Sequence, residues 1–514
     1  MRTWLVPALL VAVVAAGCGG GDDAPGRPTT ATGYQAAATP PLVERLRRGG
    51  YVLALRHAAT DQSMADTTRD LRDCSKQRNL NAAGRRQAQS IGRALRRLRI
   101  PVGTVLASPY CRTRGTARLA FGRFRTSTAL LAPEFLDDRA ARGRQPARTQ
   151  RLLASRPARG TNTVVVTHGF AISAAADVTV GEGETAIFAP GHGRRGFQRV
   201  DTVTADEWTR LAASAPPPRV RLREFKVFAG AGPHDVAPAR DGTVWFTAQG
   251  AGELGRLDPR TGRAHRIPLG SGSAPHGVIV GPDRAAWVTD GGLNAIARVD
   301  DRSLRVRRYP LPRDRAAANL NTATFDRRGI LWFTGQGGIY GRLDPRSSEM
   351  RVFDAPRGPG PYGIATTPTG DVWYASLAGS YIARIDADGA AHVVEPPTKG
   401  GGARRIWPDS RGRLWVTEWN AGKVAVYDPG ADRWQEWRVP GDNPMPYAVF
   451  VDDADLVWLT DFGASALWRL DPETARFTRF PLRAGADVRQ LLGRAGAVWG
   501  AESGADRLIV ARTG

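Results

Sequence analysis

The sequence predicts a multidomain protein in which an α/β domain is followed by an all-β domain, a seven-bladed β-propeller. Between residues 41 and 213, short apolar runs alternate with amphipathic stretches of helical period, as in a parallel sheet covered by helices. From about residue 220 to residue 514, tryptophans recur 41 to 45 residues apart in strand-like segments. A repeat of this length with short strands and Gly or Asp turns is typical of a β-propeller. The length of 514 residues also exceeds what one ordinary core accommodates.

The N-terminal segment has the pattern of an export signal. An apolar run from Leu5 to Ala16 follows a single positive residue, Arg2. This run is too short to span a bilayer, so we interpret residues 1–18 as a secretory signal peptide. Its last four residues, Ala-Ala-Gly-Cys, resemble the lipobox of bacterial lipoproteins, with Cys18 as the lipidated residue and residues 19–40 as a flexible tether. We therefore expect a lipid anchor on the outer face of the bacterial cytoplasmic membrane. An ordinary signal with a stray cysteine is the alternative.

Export changes what the two remaining cysteines imply. Cys74 and Cys111 form one even pair in an oxidising compartment, so we expect a disulfide between them. A bridge that closes a loop of this length contributes roughly 3–4 kcal/mol to stability. Because Cys111 directly precedes Arg112, the bridge is expected to fix the turn that carries this arginine.

The net charge of +23 comes almost wholly from arginine. The arginines are scattered through turns, without a long basic run or a groove that interleaves basic and aromatic residues. We therefore do not expect nucleic-acid binding. Attraction to an anionic envelope polymer and a simple base-composition bias of the genome both stay open as explanations.

Two predicted strands of the first domain end in histidine. The run Leu53 to Leu55 stops at Arg56-His57, and a β-branched run stops at His168. Because strand carboxyl ends in an α/β sheet gather ligands, the two histidines are expected to share a pocket. Helices are predicted at 42–48 and from residues 81, 116 and 171, and strands at 51–55, 102–106 and 164–167.

Three motifs in this domain resemble the histidine phosphatase superfamily, whose fold is that of phosphoglycerate mutase. Their order and spacing match across about 170 residues, although Ala58 replaces the glycine that usually follows the first histidine. The motifs are Arg56-His57, then Ser108-Pro109 with Arg112 and Thr116-Ala117, and finally Thr167-His168-Gly169.

The resemblance implies a phosphomonoesterase that needs no cofactor. His57 would attack phosphorus and form a phosphohistidine. Arg56, Arg112 and His168 would bind the phosphoryl oxygens, and Thr60 is a further candidate for binding phosphate. Family members place the general acid in a variable region, where Glu134, Asp137 and Asp138 are the candidates here. Among these three we choose Glu134. The alternative is a degraded, non-catalytic domain.

A proline-rich linker at 214–219 precedes the propeller, which is predicted to span 220–514. Six repeats end in a fourth strand and the last does not, so the strand at 222–228 is expected to complete the seventh blade and close the ring. The repeating tryptophans are Trp245, Trp287, Trp332, Trp373, Trp415, Trp458 and Trp499.

Four repeats begin with a proline followed by a histidine or tyrosine, and these steps resemble the virginiamycin B lyase (streptogramin lyase) family. The family opens a cyclic depsipeptide lactone by elimination, with magnesium polarising the carbonyl. The resemblance implies His234 and His276 as an acid/base pair and Tyr362 as a substrate-binding residue. The third repeat begins at Asn319 and the fifth at Arg404-Arg405, so the central mouth differs chemically from one side to the other. The four steps are Pro233-His234, Pro275-His276, Pro361-Tyr362 and Pro446-Tyr447.

One departure from the family affects the metal. The family's acidic ligand two positions before the second histidine is replaced by Ala274. Asp235, Asp290 and Glu418 are possible replacement carboxylates, and the metal ligands stay unknown.

The leading interpretation is therefore an exported lipoprotein that joins a histidine phosphatase, acting on a phosphorylated small molecule, to a streptogramin-lyase-like propeller. The first alternative is a magnesium-dependent lyase, a form of antibiotic resistance, with a vestigial phosphatase domain. The second is a non-catalytic propeller that binds an anionic envelope polymer or a peptide. In each case we expect a monomer.

Overall fold

The computed structural model describes residues 41–68, 70–215, 219–315, 317–494 and 496–513. The predicted signal peptide, the tether and Cys18 lie outside the described residues, as does the middle of the linker, 216–218. Within the described ranges, no helix combines the length and the apolar character that crossing a membrane requires.

The first domain is a six-stranded sheet with helices on both faces. The strand order is β3-β2-β4-β1-β5-β6; β1 to β4 are parallel, whereas β5 and β6 are antiparallel additions at one edge. The predicted parallel sheet is thus the larger part of a mixed sheet. The strands are β1 Val52–Arg56, β2 Val102–Ala107, β3 Arg125–Thr126, β4 Asn162–Thr167, β5 Thr185–Pro190 and β6 Phe197–Val203. The helices are α1 Pro41–Arg48, α2 Ala82–Arg97, α3 Cys111–Phe121, α4 Arg139–Leu153, α5 Gly169–Ala176 and α6 Ala205–Ser214.

Strand β1 lies inside this sheet and its side chains alternate between two cores. Leu53 and Leu55 pack in one hydrophobic cluster, whereas Val52 and Ala54 pack in the other, because successive residues of a strand point to opposite faces. All four are almost completely buried. The strand is therefore held rigidly, and its carboxyl end provides a fixed platform for Arg56 and the residues that follow it.

Helix α2 begins at a side-chain cap, and helix α3 begins where the chain turns towards the site. The side chain of Asn81 accepts a hydrogen bond from the amide of Gly84 at 2.7 Å and caps α2. Helix α3 begins at Cys111, five residues earlier than predicted, so Arg112 lies on its first turn rather than in a preceding loop.

The second domain consists of seven four-stranded antiparallel sheets, as predicted. In each blade the first strand is innermost, since it contacts the first strand of the next blade around the ring. The strand bounds, blade by blade and beginning with the separate strand β7, are β7 Val220–Lys226; β8 Pro233–Pro238, β9 Val244–Ala248, β10 Glu253–Asp258, β11 Arg263–Pro268; β12 Pro275–Val280, β13 Ala286–Asp290, β14 Ala295–Val299, β15 Val306–Pro310; β16 Leu320–Phe325, β17 Leu331–Gly335, β18 Ile339–Leu343, β19 Met350–Asp354; β20 Pro361–Thr366, β21 Val372–Ser376, β22 Tyr381–Ile385, β23 Ala391–Val394; β24 Ala403–Pro408, β25 Leu414–Glu418, β26 Lys423–Asp428, β27 Arg433–Arg438; β28 Pro446–Val451, β29 Val457–Asp461, β30 Ala466–Asp471, β31 Arg476–Pro481; and β32 Val488–Arg494, β33 Ala497–Glu502, β34 Arg507–Thr513.

The predicted closure of the ring is confirmed. Strand β7 pairs antiparallel with β34, with Leu222 opposite Ala511 and Phe225 opposite Leu508. It thus supplies the outer strand of the seventh blade. Phe225 also stacks on Trp499, which ties the added strand to the core of that blade.

Helix α2 of the first domain contacts the sixth blade through arginines. The Nη1 atom of Arg97 donates to Oδ1 of Asp471 at 3.0 Å, and Nε of Arg96 donates to the carbonyl of Asp453 at 2.7 Å. Arg97 and Asp471 are both largely buried, so this pair is screened less than an exposed one. The two domains therefore have a specific polar interface.

Candidate functional sites

A cavity of about 480 Å³ opens where β1 and β4 end. It contains all four residues that the sequence predicted to handle the phosphoryl group. Two further charged residues of the lining, Asp66 and Arg78, were not predicted. The lining residues are Arg56, His57, Met64, Ala65, Asp66, Arg78, Arg112, Glu134, Phe135, His168, Gly169, Phe170, Ser173, Thr179 and Val180.

His57 directly follows β1 and is buried. Its Nδ1 atom lies 3.0 Å from the carbonyl oxygen of Ala58, so Nδ1 carries the proton that it donates and Nε2 keeps its lone pair. Burial, together with the charge of Arg112, lowers the pKa of His57 to about 4. At neutral pH the imidazole is therefore uncharged, which is the form that can act as a nucleophile.

Arg56 and Thr60 are held by an acid that the sequence analysis missed. The Nη1 atom of Arg56 donates to the carbonyl of Val180 at 2.9 Å, and its Nη2 atom lies 4.0 Å from Oε1 of Glu182. The hydroxyl of Thr60 donates to the same carboxylate at 2.7 Å. Glu182 also lies 3.9 Å from Nδ1 of His57. The Thr60 hydroxyl is hydrogen-bonded to Glu182. Its predicted contact with phosphate stays a prediction.

Arg112 is anchored from the loop that precedes α2. Its Nη1 atom donates to Oδ1 of Asp66 at 3.0 Å and lies 3.4 Å from the carbonyl of Arg78. The guanidinium stacks over the rings of Tyr110 and Phe135 at 4.7 and 5.4 Å. Asp66 in turn accepts the backbone amide of Arg78. The loop thus fixes one edge of the guanidinium fork.

His168 directly follows β4 and lies beside His57. The two ring centroids are 5.6 Å apart, which confirms that the two strand-end histidines share one pocket. The Nε2 atom of His168 is 2.9 Å from the hydroxyl of Ser108, and Tyr110 and Phe135 pack edge-on against the ring. Burial, with a further contribution from Arg112, holds the pKa of His168 well below its usual range.

The structure gives different roles to two of the three candidate general acids, Asp138 and Glu134. Asp138 accepts the amides of Ala140 and Ala141 and caps α4, so its carboxylate is used in starting a helix. Glu134 lines the cavity, and partial burial raises the pKa of its carboxyl group. Of this pair, Glu134 has the placement and the shifted pKa that a general acid requires. Asp137 is not among the lining residues.

Cys74 and Cys111 are joined in a disulfide. Cys111 is the first residue of α3, and its amide donates to the side chain of Gln77 at 2.9 Å. The bridge therefore connects the start of the helix that carries Arg112 to the loop that carries Asp66 and Arg78.

The propeller axis is lined by the second residue of each innermost strand. This set, which we call the axial ring, contains two histidines, an asparagine, two tyrosines and two arginines, and no carboxylate. It consists of His234, His276, Asn321, Tyr362, Arg404, Tyr447 and Arg489. The ring includes the three propeller residues that were predicted to act, and Arg489 was not predicted.

The two histidines belong to two similar hydrogen-bond chains. His234 Nδ1 is 2.9 Å from the carboxylate of Asp235, and its Nε2 atom is 3.4 Å from the hydroxyl of Tyr447. His276 Nδ1 is 3.1 Å from a backbone carbonyl, and its Nε2 atom is 3.5 Å from the hydroxyl of Tyr362. The two tyrosine hydroxyls are hydrogen-bonded to each other. Burial is the main cause that holds the pKa values of both histidines well below the usual range.

The donor set at the axis does not fit magnesium, which prefers oxygen ligands. Two imidazoles and one carboxylate, those of His234, His276 and Asp235, come close enough to share an ion. However, Arg405 already donates to the Asp235 carboxylate at 2.8 Å, and a guanidinium at this distance opposes a divalent cation.

The other two proposed replacement carboxylates do not supply the missing oxygens. Asp290 accepts the amides of Ala274 and Leu293 and the hydroxyl of Ser273, so its oxygens are satisfied within its own blade. Burial and the neighbouring Glu436 raise the pKa of Glu418 to about 7. We therefore derive no step through magnesium.

The fold and the sites define the class: an α/β domain of the histidine phosphatase type joined to a seven-bladed β-propeller. Residues 52–137 match the model of the histidine phosphatase superfamily (branch 1). Residues 202–461, half of the chain, match the model of the Virginiamycin B lyase family, and the chain belongs to that family. No match was found among curated proteins.

Solved structures similar to the propeller include lyases. A streptogramin B lyase is 23% identical, with a TM-score of 0.53, and the match covers 57% of this chain and 98% of that chain. Selenomethionine-substituted virginiamycin B lyase from Staphylococcus aureus is 21% identical, with a TM-score of 0.54, covering 57% and 99%. A catalytically inactive variant of the Staphylococcus aureus enzyme with quinupristin gives the same values. At these identities the likeness establishes the fold alone.

Proposed function

We propose that the first domain is a phosphomonoesterase that works through a phosphohistidine at His57. The observation that carries this proposal is the arrangement of an uncharged, buried imidazole between Arg56, Arg112 and His168 at the end of a rigid strand. The match to the histidine phosphatase superfamily supports it.

The chemistry consists of two displacements. The Nε2 atom of His57 attacks phosphorus, the bond from phosphorus to the leaving oxygen breaks, and the proton of Glu134 passes to that oxygen. Water then attacks the phosphohistidine while the Glu134 carboxylate accepts its proton, which releases phosphate and restores the imidazole. The guanidinium groups of Arg56 and Arg112 and the ring of His168 stabilise the charge that develops on the phosphoryl oxygens.

The apolar side chains that line the cavity favour a substrate whose leaving group has an apolar face. In the described part of the chain, the large apolar side chains that are most exposed are Met64, Phe170 and Leu304. Two of these, Met64 and Phe170, line the cavity, and Phe170 is 71% exposed. An exposed aromatic ring beside a reactive group is a favourable surface for an aryl group or for the apolar face of a sugar.

The test is turnover of a simple phosphate ester by the full chain and by His57→Ala. We expect the variant to lose hydrolysis. When the wild type reacts briefly and is then quenched with alkali, mass spectrometry should detect phosphohistidine at position 57. Arg346→Gln, an exposed change in the propeller, is the matched control. Retained turnover in His57→Ala would falsify the nucleophile assignment.

We also propose that the protein acts outside the cytoplasm, anchored through Cys18. The disulfide supports this because such bonds persist in oxidising compartments. Metabolic labelling with palmitate should mark the wild type and not Cys18→Ser, and equal labelling of both would refute the anchor.

The family to which the propeller belongs makes elimination a second candidate. His234 and His276 do meet at the axis, with ring centroids 3.8 Å apart. Because the donor set does not fit magnesium, we do not extend the proposal to opening of a cyclic depsipeptide. Binding of an anionic polymer or peptide is compatible with the same residues.

A further inference from the structure

The axial ring has an unusual charge for a site that would hold a cation. Its two charged members are both arginines, Arg404 and Arg489, and the two histidines are uncharged. The next residue along the fifth innermost strand, Arg405, is paired with Asp235 and also donates to Thr322. Asp235 therefore compensates Arg405, and the charges of Arg404 and Arg489 are left over.

Neither of these two arginines has a carboxylate partner among the described residues. The Nη2 atom of Arg404 donates to the hydroxyl of Tyr362 at 3.1 Å, and Nε of Arg489 donates to the hydroxyl of Ser503 at 2.7 Å. Both are only partly exposed. Most of the other partly exposed arginines in the described part of the propeller pair with an aspartate or glutamate, so Arg404 and Arg489 need an explanation.

The two guanidinium groups both contact the ring of Tyr447. The Cζ atoms of Arg404 and Arg489 are 3.7 and 5.9 Å from the centroid of the Tyr447 ring. Arg404 also lies over Trp419, and Arg489 lies over Phe462. Stacking of this kind holds a guanidinium in place and leaves its N–H edge available to an anion.

Apolar side chains surround this pair at the same end of the ring. Leu377, Trp419 and Phe462 each follow the end of a second strand, next to the start of an innermost strand, and each is only partly buried against Tyr362 and Tyr447. The rim therefore offers two unpaired cations next to an incompletely covered apolar surface.

We propose that this end of the propeller binds a carboxylate attached to an apolar or aromatic group, such as the free C-terminus of a peptide or an acylated amino acid. Arg404 and Arg489 receive the carboxylate, because a guanidinium matches its planar geometry with two parallel hydrogen bonds. Trp419 and Phe462 receive the apolar part. Because the two guanidinium groups supply the positive charge that attracts the carboxylate, binding does not require a metal ion. This inference is independent of the phosphatase proposed for the first domain.

The experiment is isothermal titration calorimetry on the full chain with two probes of nearly the same shape. N-acetyl-L-phenylalanine carries the carboxylate, and N-acetyl-L-phenylalaninamide replaces it with a neutral amide. We expect the acid to bind about tenfold or more tightly than the amide, because hydrogen bonds to a charged group are lost in the amide. We also expect the affinity to be unchanged by EDTA.

Variants locate the binding. Arg404→Gln and Arg489→Gln should each weaken the acid to the level of the amide, whereas Arg346→Gln on an exposed turn should leave it unchanged. Arg489 is on the last blade and partly exposed, so its replacement tests the site even if Arg404→Gln disturbs folding. Equal binding of acid and amide, full affinity in both glutamine variants, or loss of binding with EDTA would each overturn the proposal.

Discussion

The Oδ1 atom of Asp66 lies 3.0 Å from Nη1 of Arg112, whose side chain is almost completely buried. The loop that carries Asp66 therefore orients the phosphate-binding guanidinium of another element. Asp66→Ala should lower kcat/KM about tenfold, because the fork is no longer held at one edge. Asp66→Asn keeps an oxygen that accepts this hydrogen bond and should retain most of the activity. If Asn were as damaging as Ala, Asp66 would be the general acid instead of a positioning residue.

Glu134→Gln should affect substrates according to how much their leaving group needs a proton. For glycerol 3-phosphate we expect kcat to fall about a hundredfold or more, because general acid catalysis is worth roughly 10² to 10⁴. For p-nitrophenyl phosphate, whose leaving group is stable as an anion, the loss should be small. Asp138→Asn serves as the control, since that carboxylate caps α4. An equal loss on both substrates would remove Glu134 from the role of acid.

The pH profile of kcat/KM should be a bell with its maximum on the acidic side of neutrality. On the acidic limb, activity falls as pH drops through the His57 pKa of about 4, because the protonated imidazole has no lone pair to attack with. On the alkaline limb, activity falls as Glu134 loses its proton, at a pKa that burial raises above the usual range. In Glu134→Gln the alkaline limb should disappear. Its persistence there would assign that limb to another group.

Removal of the disulfide should destabilise the first domain. The bridge joins residues 37 apart in sequence, and constraining a loop of this length stabilises the folded state by about 3–4 kcal/mol. The double variant Cys74→Ser/Cys111→Ser should therefore unfold at lower urea concentration than the wild type, with a higher KM because Arg112 follows Cys111 directly. A reducing agent should reproduce the shift in the wild type and leave the variant unchanged. Coincident unfolding curves without reductant would contradict the prediction.

Phe170→Ala should change which esters are preferred. The ring is 71% exposed at the cavity, and an aryl leaving group that packs against it gains roughly 1.5 kcal/mol. We expect kcat/KM to fall about tenfold for phenyl phosphate and by less than about twofold for glycerol 3-phosphate. Met64→Leu, which keeps an apolar side chain at the rim, is the control. A uniform loss on both esters would mean that Phe170 contributes to folding rather than to selection.

The sequence could predict the parts of both sites that lie at the ends of regular elements. His57 and His168 follow buried strands whose ends are fixed by the sheet, so their meeting followed from the pattern alone. Asp66, Arg78 and Glu182 lie in loops, whose paths no hydrophobic period determines. Their contacts with Arg112, Arg56 and His57 depend on chain reversals that only the folded structure shows.

The sequence predicted only part of the axial ring, because only some of its members share a visible motif. His234, His276, Tyr362 and Tyr447 each follow a proline and so form a visible motif, whereas Arg489 follows Val488. Six members of the ring precede the repeating tryptophan of their blade by 11 residues, and Arg489 precedes Trp499 by 10. Counting back 11 residues from each tryptophan would therefore have found six members of the ring, including Asn321 and Arg404, which follow no proline, and would have reached Val488, one residue short of Arg489.

The place of β7 in the seventh blade also sets an order of events while the chain is being made. This strand emerges directly after the α/β domain, yet its partner β34 is the last strand of the propeller to be synthesised. Until then β7 has an unpaired edge that can pair with another chain. A product that stops short of Arg507 would leave that edge open permanently, so premature termination close to the C-terminus should yield aggregated protein and not a propeller with one weakened blade.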